Sequence, residues 1–105
     1  MTDVSDTSAL VPLGAVFIDV DHERGALVVT SSSERAGLEV EIEPIDHPSG
    51  PTHVAVLPRS TSEGVVYAAV FPSLPAARYR VLDSNGRAGD VVTVTAGEVA
   101  TAPWE

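Results

Sequence analysis

The sequence predicts an all-β protein, a single sandwich of about seven or eight antiparallel strands. Three observations lead there. Apolar residues recur with period two, most clearly in "LEVEIE" (38–43), where Leu38, Val40 and Ile42 alternate with Glu39, Glu41 and Glu43. Short β-branched runs follow one another at intervals of roughly 8–12 residues, with turn residues between them. No segment longer than about one turn carries the 3.6-residue period of a helix.

The elements follow in order. The acidic, polar segment 1–9 is expected to be a disordered tail, leaving 10–105 as the domain. "AVFIDV" (15–20) and "GALVVT" (25–30) read as strands joined by the polar "DHER" (21–24). "SSERAG" (32–37) reads as a single helical turn, with Ser32 as cap and Gly37 as stop. Next comes "LEVEIE", its apolar residues inward. "HVAVL" (53–57) is bracketed by Pro51 and Pro58, which lack an amide and so predict strand ends. "GVVYAAVF" (64–71) is apolar on both faces, as a central strand should be. Pro72 and Pro75 are expected to stop its pairing while the chain crosses between sheets and Leu74 plugs the core. Residues 77–82 and 91–95 read as strands joined through "DSNGRAGD", where Asn85-Gly86 suits a tight turn. Residues 98–102 form a weaker last strand.

Composition narrows the function classes. A chain of 105 residues supports one core. It carries 15 acidic against 6 basic residues, a net charge of -9, and every basic residue is an arginine: Arg24, Arg35, Arg59, Arg78, Arg80 and Arg87. Such a surface repels phosphate, so no nucleic-acid partner and no anionic membrane surface is expected. With no cysteine there is no disulfide framework and no thiolate chemistry. The start "MTDVSDTSAL" lacks the positive charge of a secretory signal, and the apolar run 10–18 is too short to span a bilayer. The expected setting is cytoplasmic.

Few residues suggest chemistry. His22, His47 and His53, with Asp21, Glu23 and Asp46 beside them, are candidate metal ligands if the loops converge, but they follow no recognised ligand spacing. There is no G-x-S-x-G elbow, and Ser31, Ser32 and Ser33 have no histidine close in sequence. A serine, His53 and an acid would have to meet in space to form a triad. The absence of lysine removes a Walker loop, and "GRAG" (86–89) reads as a turn. Glu39, Glu41 and Glu43 form a row of like charge that self-repels unless cations face it across the sheet. Arg78 and Arg80 alternate in the same way and suit that place. These five are the candidate binding residues, either as a solvated ladder or as an acidic stripe that docks a basic partner or discourages edge-to-edge association. Of the aromatic residues, Phe17, Tyr67, Phe71 and Tyr79 fall on inward positions, leaving Trp104 as the one ring to spare for stacking.

The stretch "AVFPSLPAARYRV…GDVVTVTAGEV" (69–99) resembles the closing half of the prealbumin-like sandwich superfamily, which includes carboxypeptidase-regulatory domains and Cna-B modules. The residues that carry the likeness are Phe71, Leu74, Pro75, Tyr79, Val81, Val92, Val94 and Gly97, with Ala77 where the pattern has glycine. The resemblance implies an Ig-like or prealbumin-like sandwich and no catalytic residues. Cna-B cross-linking needs a lysine, which is absent. The terminal Tyr-Arg-Gly-Ser of hydroxyisourate hydrolases is replaced by "TAPWE". Through its "EIEP…THVAVLPR…YAAVFPSLP" core (41–75) the whole chain also resembles small, acidic, lysine-poor actinobacterial proteins of about this length. The functional expectation is a non-enzymatic binding or assembly module without a cofactor. It would recognise a protein partner through a sheet edge or end loops, or pair with itself. The alternative is a small hydrolase or metal-dependent enzyme built from the loop histidines and carboxylates.

Overall fold

A computed structural model describes residues 20–46 and 50–104 in full and the backbone of residues 12–13 and 16–17. It is all-β, with two four-stranded sheets stacked as a sandwich. Two short strands, β1 (Pro12–Leu13) and β2 (Val16–Phe17), pair with each other. The sheets are built from β3 (Arg24–Ser31), β4 (Glu39–Pro44), β5 (Thr52–Ala55), β6 (Leu57–Thr61), β7 (Gly64–Pro75), β8 (Ala77–Leu82), β9 (Ala88–Val94) and β10 (Val99–Pro103). The first sheet has the order β10-β3-β7-β6 and the second β5-β4-β8-β9.

Period-two alternation decides which side chains meet between the sheets. Leu27, Val29, Ala69, Phe71 and Leu74 from the first sheet pack with Val40, Ile42, Tyr79, Val81 and Val94 from the second. The outer face of β3 and β7 is buried too, through Ala26, Val28, Ala68 and Val70 with Val20. That accounts for the unbroken apolar run of β7, which is paired on both sides.

Several expectations need correction. The sheets are not wholly antiparallel: β10 runs parallel to β3, with Val99 opposite Ala26 and Pro103 opposite Thr30. "HVAVL" is two strands in two sheets. β5 ends at Ala55, and the fully buried Val56 turns the chain into β6, held by Gly37 and Leu38 through its carbonyl and amide. Pro58 therefore lies inside β6, which tolerates it because β6 is a sheet edge. Leu38 precedes β4 and is 48% exposed, because the alternation outruns the strand by one residue. β7 does not stop at Phe71. It continues to Pro75, pairing Leu74 with Gly25 past a register shift that lies opposite Pro72. The crossing occurs one step later, at Ala76, and Leu74 is buried as expected.

Local chemistry fixes the turns. The helical turn is a 3-10 turn over Ser33–Arg35; Ser32 precedes it without a side-chain cap, and Gly37 takes a φ of 90°. After β8, Asp83 Oδ1 accepts the backbone N–H groups of Asn85 and Arg87, and Gly86 takes a φ of 80°. Asp21 Oδ1 does the same for Glu23 and Arg24 ahead of β3. Gly25 is required by close approach, since a side chain there would meet the carbonyl oxygen of Thr95.

Tyr79 is buried, and its hydroxyl donates to the Pro75 carbonyl at 2.6 Å, fastening the corner where β7 crosses into β8. Burial pushes the Tyr79 phenol above its ordinary pKa. Trp104 is no spare ring. It is 7% exposed in the core, and its indole N–H donates to the Leu82 carbonyl at 2.7 Å.

Candidate binding face

The solvent face of the second sheet gathers the sequence-predicted binding residues. Because Val40 and Ile42 are buried, Glu39, Glu41 and Glu43 point outward from β4. The register then places His53 of β5 opposite Glu41, and Arg80 of β8 opposite Glu43. Arg80 is paired in turn with Val91 of β9, and Arg78 with Thr93. The face is therefore polarised across its strands, acidic over β4 and basic over β8.

Its contacts are specific. His53 Nδ1 lies 2.9 Å from Glu39 Oε1, with both side chains well exposed. Arg78 Nε donates to Asp46 Oδ2 at 3.0 Å, and the Arg78 backbone N–H donates to Asp46 Oδ1. That backbone bond, followed by the guanidinium, holds the Asp46 carboxyl below its ordinary pKa. No ion pair within 4.0 Å joins Arg80 to a carboxylate among the described residues. Arg80 is left as the uncommitted cation of this face.

A shallow cleft of about 340 Å³ opens beside the acidic row, lined by Glu39, Glu41, His53, Leu82, Asp83, Ser84 and Gly86. Asp83 is already spent on its turn, whose N–H groups, that of Arg87 first, hold its carboxyl below the ordinary pKa. Ser84 shares the cleft with the His53–Glu39 pair, but no serine hydroxyl bonds to a histidine among the described residues. A second opening of about 420 Å³, lined by Thr30, Ser31, Ser32, Glu34, Arg35, Pro103 and Trp104, contains no histidine.

The histidine candidates do not assemble among the described residues. His22 sits in the turn before β3, exposed, with Nε2 3.8 Å from Glu23 Oε2. His53 is on β5 of the other sheet, and His47 lies outside the described residues. Among the described residues no group of three His, Cys, Asp or Glu side chains converges as a metal site. Sequence reasoning missed Asp46 as the partner of Arg78. Nothing local signals it, since the contact depends on the pairing of Ile45 with Arg78 just past the end of β4. It also missed Arg59, which is only 5% exposed on β6 and donates through Nε to the Ala68 carbonyl at 3.4 Å. Burial lowers its guanidinium pKa.

Among the described residues, the four edges of the two four-stranded sheets differ in how open they are. β5 has only four residues, β6 contains Pro58, and β10 has five residues and ends in Pro103. β9 runs for seven residues without proline. Past its register shift near Gly89 it is regular from Val91 to Val94, with Val91 48% exposed. Comparison with protein-family models, curated proteins and solved structures returned no match for the chain.

Proposed function

We propose that the protein is a non-enzymatic binding module that takes an extended segment of a protein partner onto the edge strand β9. The observation that carries this reading is the contrast among the edges: β5, β6 and β10 have four or five residues, whereas β9 has seven, none of them proline, with Val91 exposed beyond its register shift. Unpaired backbone groups on such an edge supply affinity to any strand that adds to it, and outward side chains supply selectivity. The finer fold reading, an Ig-like or prealbumin-like sandwich, is supported by the Tyr79–Pro75 corner bond and by the placement of Phe71, Leu74 and Val94 in the core. A photo-crosslinking residue placed at Val91 should capture the partner in cells of the source, whereas the same residue at Val99 on β10 should not. Equal capture at both positions would defeat the edge assignment.

A second reading is favoured by one contact. The His53–Glu39 pair facing a cleft with Ser84 has the members of a hydrolytic site, although it lacks the nucleophile–base hydrogen bond such chemistry needs. Turnover of a p-nitrophenyl ester that vanishes in both His53→Ala and Ser84→Ala would support it. Turnover indifferent to both would remove it.

A further inference from the structure

We infer that the segment received by β9 alternates aliphatic and acidic residues, and that Arg80 is the residue that selects its carboxylates. The inference rests on the reading of β9 as the docking edge. On the solvent face Val91 and Thr93 stand beside Arg80 and Arg78, one strand further in. A strand added to β9 lies roughly 10 Å from β8, two strand spacings away. An arginine and a glutamate leaning toward each other over Val91 close that gap. Arg78 is held by Asp46 at 3.0 Å, whereas Arg80 has no carboxylate within 4.0 Å among the described residues. The acidic row of Glu39, Glu41 and Glu43 stands on β4, with β8 and its arginines between it and the edge. Asp90 lies at the register shift, outside the regular run whose Val91 and Thr93 stand beside the arginines. An incoming carboxylate on the solvent face therefore meets cations first, despite the net charge of -9.

The same arrangement argues against a second copy as the occupant. Two β9 edges paired with their solvent faces aligned bring the two arginine rows together, three strand spacings apart, and join two chains of charge -9. Val92 and Val94, on the inner face, are placed to meet the segment's aliphatic residues, while the charge pattern of the solvent face prefers a heterologous acidic strand.

The test uses the full chain and two synthetic eight-residue peptides, one alternating Val or Thr with Glu, the other carrying Lys in place of Glu. Binding is read by fluorescence anisotropy and by amide shifts along β9 at low and high salt. The expected result is at least about tenfold tighter binding of the glutamate peptide, roughly 1.4 kcal/mol. Shifts should centre on Val91–Val94, salt should narrow the preference, and Arg80→Gln should abolish it. Equal binding of both peptides at β9, or a preference that survives Arg80→Gln, overturns the acidic assignment while leaving the edge reading intact. Binding that leaves the β9 amides unmoved, or no binding by either peptide, overturns both. Sedimentation of the free protein as a dimer that Thr93→Pro or Val92→Pro dissociates would assign the edge to a second copy and also overturn the inference.

Discussion

Trp104 offers the sharpest check on how the chain closes its core. Its indole N–H donates to the Leu82 carbonyl at 2.7 Å and its backbone N–H to Thr30 at 2.8 Å, while the Arg35 guanidinium stands 5.0 Å from the ring centroid and donates through Nη1 to the Trp104 carbonyl at 3.3 Å. Trp104→Phe keeps a ring in the core but strands the Leu82 carbonyl and narrows the fit, a loss of about 1–3 kcal/mol. Trp104→Ala also empties the space between the sheets and should cost about 3–5 kcal/mol. Against a total stability of about 5–15 kcal/mol, the alanine variant gives up a large fraction. Urea unfolding followed by far-UV circular dichroism measures both, because the variants lose the protein's one tryptophan and with it the fluorescence probe. The expected signature is a lower midpoint with an unchanged slope. If Trp104→Ala shifted stability by less than about 0.5 kcal/mol, the range of an ordinary surface substitution, the placement of the ring in the core would be refuted.

Further outcomes follow from the same contacts. Leu74→Ala should cost about 2–4 kcal/mol in the same assay, since Leu74 fills the core where β7 nears its crossing. Tyr79→Phe, which removes only the corner hydroxyl, should cost about 1 kcal/mol and leave the spectrum unchanged. Asp21, Asp46 and Asp83 all have carboxyls held below the ordinary 3.8, chiefly by the backbone N–H groups of Glu23, Arg78 and Arg87 respectively. A carboxyl depressed in the folded state adds stability above its unfolded value, and that contribution is lost as the pH falls through the folded one. Stability should therefore decline below about pH 4, and the triple Asn variant should show a flatter acid limb in thermal melts.

The fold class was legible because period-two patterning is a local property of each strand. "LEVEIE" buries Val40 and Ile42 as its alternation requires, and the tyrosine hydroxyl finds a carbonyl at the corner. What local pattern cannot carry is which sheet a strand joins. The two halves of "HVAVL" part at Val56 because Gly37 and Leu38 hold that residue from another element. β7 runs past Pro72 because a register shift against β3 absorbs it, with Pro75 the last residue of the strand, and β10 lies parallel to β3 after a loop whose Thr95 and Glu98 carbonyls approach Gly25. Trp104 was misjudged for a similar reason, since its indole N–H reaches a carbonyl 22 residues earlier in the chain.

The candidate face was half legible. Alternation put Glu39, Glu41, Glu43, Arg78 and Arg80 outward, but the register sets only Glu43 opposite an arginine, Arg80, while Glu41 faces His53. It gave no sign that Arg78 is already engaged by Asp46 and Arg80 is not, because that distinction arises beyond the strand ends.

The central claim, that β9 presents an open edge, is tested most directly by amide hydrogen exchange along Val91–Val94 in the free protein at several concentrations. An open edge predicts alternation: amides bonded to β8 exchange slowly, those between them exchange fast, and dilution changes neither. Uniform protection of the whole run would show the edge already covered, and would contradict the account.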